Sequence, residues 1–480
     1  MGSDIFMRYR GAIRSKGLGA RLFFSALLLV AWIPLCLAQE PPLDVAKVGR
    51  LPARDPNAIA IEGWLLYPTL RVYSQFSDNY FFSSTRPISG PSFGVTPSMT
   101  AEWSNGIHTT TLFGNLDRQQ YPTHNEVNTL DGRAGFAQKY EAMRDLIFRV
   151  NGDYVHQTLS SSLQSSIQTA AVVPTTILLP DGNTQLPNGT IISPTGQVVG
   201  QANPAIGSNI PLLVNPSDRF SGSVSVDKIF NRGILSLSAT ANRIEYENQQ
   251  NSFSQNTWSR SFTENAGVWL GPLFYAYSNG SIGTVTTDAT SASTTSYRIV
   301  GGLGTRQFGL FRGSIYFGHQ GSQSSTPAGS LQTSGSAGGD VYGAALTYYP
   351  TPVWTLTGTV DRTVNVSSLT SATNLALTLP GISAVQVPLG SSTQIASVSL
   401  RSDYQIAQQW FTTAQLGYTR IEYINNPRLD NSWLFNTTLR YDIWRDMSLT
   451  WEYRYRAIFS NFPLATATSN YGMMGATYRF

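Results

Sequence analysis

The sequence predicts an all-β protein, a closed antiparallel transmembrane β-barrel of about 18 strands (16 to 18) of the outer-membrane type. Three features predict it: composition, a two-residue alternation of side chains, and a regular exchange of short turns and long loops. Charged residues are only 12% of the 480 residues, and aromatic residues are also 12%. Ordinary soluble domains have about twice that share of charge. After Ile33 no apolar run is long enough for a membrane helix. This combination indicates strands that face lipid on one side.

The alternation is clearest in four segments. Residues 451–456 (WEYRYR) alternate three aromatic with three charged side chains, and 354–360 (WTLTGTV) alternate apolar residues with threonine. Residues 146–151 and 396–401 follow the same pattern. Because successive side chains of a strand point to opposite faces, each segment has one apolar and one more polar face.

The connections alternate in length. Short turns are expected around Asn105-Gly106, Asn231-Arg232-Gly233, Gly271-Pro272, Pro350-Thr351-Pro352, Gln408-Gln409 and Arg445-Asp446. Long polar segments fall between them, at about 77–91, 158–218, 247–256, 280–295, 319–339, 366–392, 424–431 and 460–469. Barrels of the outer membrane have short periplasmic turns and long outer loops. Between residues 64 and 480 we count 18 strands, of which 273–279 is the shortest, and an even count places both chain ends in the periplasm.

Three parts of the chain are distinguished. Residues 1–38 have a basic head, an apolar run and a small residue at the end, which predicts a secretory signal peptide. Residues 39–61 are Pro-rich and predict a periplasmic tail, and 62–480 form the barrel. Cys36 is the only cysteine, so cleavage after Ala38 leaves neither a disulfide nor a thiolate-bound metal.

The loop 158–218 is rich in Ser, Thr, Pro and Gly and nearly uncharged. It is expected either to fold inward as a constriction or to form a surface excursion with a hairpin around Asp181-Gly182-Asn183, since Asp-Gly pairs favour hairpin turns. Both alternatives stay open.

At the C-terminus the last residue, Phe480, shares an apolar face with Tyr478. This ending resembles the terminal signature that the bacterial barrel assembly machinery recognises. The expected partners are therefore that machinery and outer-membrane lipid. The formal net charge of +4 is modest, so no nucleic-acid partner is expected.

Charged residues opposite the apolar face are expected to line a pore. We assign nine arginines and four acids to that face, and rings of arginine favour anions, which predicts a weak anion preference. The alternative is that these charges pair across neighbouring strands and stiffen the wall. The predicted pore-lining residues are Arg149, Arg298, Arg306, Arg401, Arg440, Arg454, Arg456 and Glu452.

Aromatic residues near strand ends are expected to form the two interfacial girdles of a barrel. They are Trp64, Tyr67, Tyr73, Trp103, Trp258, Trp269, Trp410, Trp433, Trp444 and Trp451.

A search for catalytic motifs predicts no enzyme, no cofactor and no metal. None of the four histidines lies in a metal-ligand spacing. His156 lies near Ser160 and Ser161, but proximity in sequence is weak evidence for a Ser-His pair, because geometry defines such sites.

Side chains alone cannot fill a barrel of about 18 strands. We therefore expect a passive diffusion channel for small solutes or ions. The alternative is a structural or surface barrel plugged by its loops and associated with exopolysaccharide export or adhesion. Solute, oligomeric state and gating are not predicted.

The stretch 63–70 (GWLLYPTL) leads into 76–81 (FSDNYF). With the terminal Phe480, it resembles the family of "putative β-barrel porins" of proteobacteria. The resemblance implies an outer-membrane location and a barrel over nearly the whole mature chain. Some members are similar to barrels encoded with exopolysaccharide export systems. The resemblance implies no substrate.

Overall fold

The computed structural model describes residues 58–480 with gaps. The gaps are 81–86, 88, 126–127, 161–176, 179–183, 186–189, 193–197, 202–212, 248–255, 289–292, 326–335, 366–374, 378–384, 388–392, 425–426 and 462–464. The predicted signal peptide and most of the predicted tail lie outside the described residues. Among the described residues, no helix is long and apolar enough to cross a bilayer.

Eighteen long strands form the fold. They are β1 Trp64–Ser77, β2 Gly90–Ser104, β3 His108–Gln120, β4 Thr129–Met143, β5 Leu146–Ser160, β6 Leu213–Phe230, β7 Gly233–Tyr246, β8 Thr257–Trp269, β9 Phe274–Thr287, β10 Ser293–Thr305, β11 Phe311–Ser325, β12 Ser336–Thr351, β13 Trp354–Asn365, β14 Thr393–Ala407, β15 Trp410–Tyr423, β16 Leu429–Asp442, β17 Met447–Ser460 and β18 Ala467–Arg479.

The sheet closes on itself. Each strand pairs antiparallel with its sequence neighbours, and β18 pairs antiparallel with β1, from Thr69 opposite Arg479 to Ser77 opposite Tyr471. Closure leaves no strand edge without a hydrogen-bonding neighbour, which is the condition for a sheet to span a membrane. The predicted closed antiparallel barrel of 18 strands is confirmed.

The two rims differ as predicted. We call the rim with the short connections, such as 105–107 and 408–409, the turn rim, and the opposite one the loop rim. The strands are longer at the loop rim than the alternation indicated: β9 reaches Thr287 instead of 279, and β11 reaches Ser325 instead of 318. These extensions carry Ser, Thr, Gly and Gln on both faces. The backbone ladder therefore continues where the apolar alternation has already ended.

Short strands accompany the barrel. Ile59–Ile61, within the predicted tail, pairs with the start of β1 through a turn in which Glu62 and Gly63 have φ of 47° and 87°. Within the loop 158–218, Ile177–Leu178 pairs antiparallel with Thr184–Gln185, on either side of the predicted hairpin turn. Whether this loop constricts the barrel stays a prediction.

The two faces of the sheet differ sharply. Leu400 and Phe317 are 52% and 62% exposed on the outer face, whereas Thr263 and Ser432 on the other face are fully buried. Most of the exposed large hydrophobic side chains thus point outward, as expected for a barrel in lipid.

Aromatic pairs line the outer face near both rims. Trp410 stacks on Tyr441 with ring centroids 4.4 Å apart near the turn rim, and Tyr418 lies 4.8 Å from Trp433 nearer the loop rim. The predicted girdle residues Trp64, Trp103, Trp258 and Trp451 also lie on the outer face by register, and Trp444 is exposed in a turn. The assignment is wrong for three residues that point inward, because one register step reverses the face: Tyr67, Tyr73 and Trp269.

A cluster of hydrogen bonds locks the seam between β1 and β18 at the loop rim. The Asp78 carboxylate accepts from the backbone N–H and the side-chain amide of Asn470, both at 2.7 Å. The Asn79 side chain donates to the carbonyl of Thr468 at 3.0 Å, and the Ser469 hydroxyl donates to the Asn79 carbonyl at 3.0 Å. We call these residues the seam latch. The latch accounts for the Asp-Asn pair in the stretch 76–81.

Asp78→Ala is expected to weaken closure of the barrel, because it removes two hydrogen bonds to a charged acceptor, about 2 kcal/mol of folding free energy in all. The measurement is urea unfolding in lipid vesicles. It is supported by gel electrophoresis of samples heated beforehand to increasing temperatures, which gives the temperature at which the compact band of the folded barrel is lost. Asp340→Ala is the control, since Asp340 contacts His319 on the exposed outer face away from the seam. An equal loss of folding free energy in Asp78→Ala and Asp340→Ala would contradict a role for the seam latch in closure.

The inner wall as candidate functional site

The predicted pore-lining residues share one side of the sheet. Seven of them lie on the face opposite the exposed apolar residues of their strands. They are Arg149, Arg298, Arg401, Arg440, Glu452, Arg454 and Arg456. Arg306 follows β10, and its guanidinium carbon lies 3.9 Å from the ring centroid of Trp269, another inward residue. These residues lie on one inner wall. That they line a conducting pore stays a prediction.

Most ion pairs of this wall run along a strand. Arg401 donates to Asp403 at 2.8 and 2.9 Å, and Arg454 donates to Glu452 at 2.5 Å. Arg440 pairs with Asp442 in the same way, at 3.1 Å. Residues two apart in a strand share a face, so the pair forms within one strand. The pairing expected across neighbouring strands is found instead for Arg149 with Asp227 and for Arg133 with Asp153.

The register also brings charges to the inner wall that the sequence assignment missed. On β3 and β4 the alternation is weak, because inward positions include Phe113 and Ala137 and the apolar face is hard to recognise. Extending the period from the outward Leu112 and Leu116 along β3 would have found Asp117. The missed acids include Asp117, Asp131, Glu141, Asp227, Asp361 and Asp430, and the missed bases include Arg71, Arg133, Lys139 and Arg219.

Some inner arginines contact aromatic rings instead of acids. The guanidinium carbon of Arg71 lies 5.1 Å from the ring centroid of Tyr73, and that of Arg298 lies 5.3 Å from the ring of Tyr316. Both are within the range of cation–π attraction. In the part of the chain that the structure describes, neither guanidinium has a carboxylate within ion-pair distance. Arg440 and Arg454 contact rings as well, so Arg71 and Arg298 differ from them in having no carboxylate partner among the described residues.

Tyrosines reach across glycines to the second strand along. Tyr73 on β1 crosses Gly94 on β2, and its hydroxyl donates to Asp117 on β3 at 3.0 and 3.1 Å. The Thr96 hydroxyl donates to the same carboxylate at 2.8 Å. A Cβ at Gly94 would lie 2.1 Å from the Tyr73 ring, so only glycine leaves room for this contact. Tyr316 crosses Gly343 in the same manner and donates to Asp361.

The weak catalytic candidate lies elsewhere. His156 points to the outer face, where its Nδ1 is 2.8 Å from Asp218, and the Tyr154 hydroxyl donates to the same carboxylate at 2.6 Å. Ser161 lies outside the described residues, and Ser160 is four residues along β5. No group of three or more His, Cys, Asp or Glu that could hold a metal is found among the residues described.

At the turn rim, the predicted assembly signal lies on the outer face. Phe480 and Tyr478 are 50% and 44% exposed, with ring centroids 4.8 Å apart at right angles. The backbone N–H of Phe480 donates to the carbonyl of Pro68 at 3.1 Å, which holds the last residue against β1. The recognition of these residues by the assembly machinery stays a prediction.

A closed sheet with an apolar outside and a polar, charged inside defines the class of membrane β-barrels. The chain belongs to the family described as "Putative beta-barrel porin 2", whose sequence model matches residues 199–480. The match includes Phe480 but not the stretch 63–81 that suggested the family. No curated protein matches the sequence.

Solved barrels are similar at low identity. The ferric citrate transporter FecA is 10% identical with a TM-score of 0.45, covering 85% of this chain and 63% of that one. OpdQ of Pseudomonas aeruginosa is 10% identical (TM-score 0.43, 88% and 98% covered), and OpdL of the same organism is 13% identical (TM-score 0.42, 88% and 100% covered). This chain thus spans 63% of the length of FecA. The architecture described above rests on the strand pairing alone.

Gly94→Ala is expected to lower the stability of the barrel by about 1–3 kcal/mol, because the new methyl group forces Tyr73 off the wall. In a Tyr73→Ala background the same change should cost much less, since the clashing ring is gone. Urea unfolding of the two single variants and the double variant measures this coupling. Gly358→Ala is the matched control, because a Cβ there meets nothing within 4 Å. A cost at Gly94 that persists without the ring would contradict the account.

Proposed function

We propose that the protein is a passive diffusion channel for small hydrophilic solutes in the outer membrane of a Gram-negative bacterium. The observation that supports this most is the closed 18-stranded sheet with a polar, charged inner wall. Barrels of 16–18 strands leave an aqueous interior that wall side chains do not fill. Membership of a β-barrel porin family supports the same conclusion.

The orientation belongs to the proposal. The turn rim and both ends of the barrel would face the periplasm, and the loop rim would face outward, as in other single-chain barrels. The signal peptide at 1–38 would export the chain, and the terminal Tyr478 and Phe480 would deliver it to the assembly machinery.

The inner wall supports at most a weak ion preference. The charges of Arg401, Arg440 and Arg454 are compensated by ion pairs with acids of their own strands. Arg71 and Arg298 contact rings and have no ion-pair partner among the described residues. We therefore propose a modest preference for anions, carried by the inner-wall arginines that have no acid partner.

Purified protein in a planar lipid bilayer is expected to give steady, well-resolved conductance steps, because a water-filled lumen passes ions continuously. The control is the same preparation after heat unfolding, which should give none. An electrically silent folded barrel would contradict the channel. That result would favour the loop-plugged barrel used for adhesion or exopolysaccharide export.

Asp403→Asn is expected to shift the zero-current potential in a salt gradient toward anion selectivity, because it leaves the Arg401 charge uncompensated on the inner wall. Glu422→Gln is the matched control. It also removes the acid of an arginine pair two residues apart, with Arg420 at 2.7 Å, but on the outer face. Equal shifts in both variants, or none at Asp403, would show that the inner wall does not set the selectivity.

A further inference from the structure

Arg71 differs from the ion-paired arginines of the inner wall in what holds its guanidinium. It lies in the middle of β1 on the inner face, opposite Thr477 on β18 and Thr96 on β2. Its Nη2 donates to the sulfur of Met473 at 2.8 Å, and its guanidinium carbon lies 5.1 Å from the Tyr73 ring centroid. Across the described residues, no carboxylate or carbonyl oxygen accepts from it.

These contacts leave most of its hydrogen-bonding capacity unused. A guanidinium has five N–H donors, and a thioether sulfur is a weak acceptor. An aromatic ring attracts the charge but accepts no fork of two hydrogen bonds. By contrast, Arg401 uses two of its nitrogens on the two oxygens of Asp403. Arg71 is therefore positioned but not neutralised.

The two residues that contact the Arg71 guanidinium, Tyr73 and Met473, are themselves held in place by their neighbours. Tyr73 lies against Gly94, and its hydroxyl donates to both oxygens of Asp117. Met473 belongs to the neighbouring β18 and is 7% exposed. A side chain held by packed neighbours loses less freedom when it binds a ligand, which favours binding.

The charges around Arg71 limit how tightly an anion would bind. Asp117 on β3 is engaged by the hydroxyls of Tyr73 and Thr96, and Glu452 on β17 by Arg454. The guanidinium of Arg454 lies 5.2 Å from the Tyr471 ring, beside the same seam. Two acids and two arginines therefore face this region. Binding would be weak and reversible, as a permeation path requires.

We propose that Arg71, held by Tyr73 and Met473, is an oxyanion-binding subsite of the lumen for solutes that carry a carboxylate or phosphate group. The planar fork of arginine matches both groups with paired hydrogen bonds. As a route of permeation the subsite rests on the proposed channel function, whereas its binding of anions does not. It deepens that function by naming the solute class, small organic anions.

The test measures binding of sodium acetate and of inorganic phosphate to detergent-purified protein by ligand line broadening in ¹H and ³¹P NMR. We expect Arg71→Gln to weaken binding about tenfold, which corresponds to about 1.4 kcal/mol. Arg71→Lys, which keeps the charge but not the fork, should lie between Arg71→Gln and the wild type. If only the acetate signal broadens, the subsite binds carboxylates. If only the phosphate signal broadens, it binds phosphates.

Lys139→Gln is the matched control, since it removes one positive charge from the inner wall at a residue already paired with Glu141 at 2.5 Å. Its binding should match the wild type. Retained heat-dependent gel mobility verifies folding of every variant. Unchanged binding in Arg71→Gln, or an equal loss in Lys139→Gln, would overturn the subsite.

Bilayer recordings separate this proposal from the channel itself. Anion binding that depends on Arg71 in an electrically silent protein would refute the channel and retain the subsite. Steady conductance with equal anion binding in wild type and Arg71→Gln would refute the subsite and retain the channel.

Discussion

The whole structure depends on one constraint: in hydrocarbon, every backbone N–H and C=O must find its partner within the protein. An antiparallel sheet meets it only if it closes, because an open edge leaves a row of unpaired groups. Here closure is made by β1 and β18, two strands at opposite ends of the barrel sequence. Their ladder is secured at the loop rim by Asp78 and Asn79, and at the turn rim by the backbone of Phe480. The residues that looked like motifs in the sequence are those that join first and last strand.

The alternation of the two faces also determines how the charged residues of the inner wall are paired. Because side chains two positions apart lie on the same face of a strand, an arginine and an acid at that spacing can pair within their own strand on either face, as Arg420 and Glu422 do on the outer one. The pairs at Arg401, Arg440 and Arg454 need no particular register between strands, so they form wherever the sequence alternates. Arginines without such an acid, among them Arg71 and Arg298, contact aromatic rings of the same wall. Arg440 and Arg454 contact rings too, so the inner-wall arginines differ in whether an acid partner compensates their charge.

Architecture could be predicted from the sequence because it follows from a strong, local pattern. Alternation in 396–401 and 451–456 requires only the two-residue period of a strand, and the short turns mark where strands reverse. The extended parts of β9 and β11 could not be predicted, because Ser, Thr and Gly on both faces hide the period. Arg71 was missed for a related reason: Leu66, Tyr67, Leu70 and Val72 place apolar side chains on both faces of the strand around it. Its contact with Met473 depends on a pairing between residues some 400 positions apart.

The central claim is that alternate side chains of the strands face lipid and the intervening ones face the lumen. Its most direct test is spin labelling of single cysteines at each position from Ser397 to Ser402 on β14, in a background lacking Cys36 and reconstituted in lipid vesicles. The account predicts high accessibility to oxygen dissolved in lipid at Val398 and Leu400, and low values at Ser397, Ser399 and Arg401, with a period of two residues. A uniform profile, or one with the two sets reversed, would contradict it.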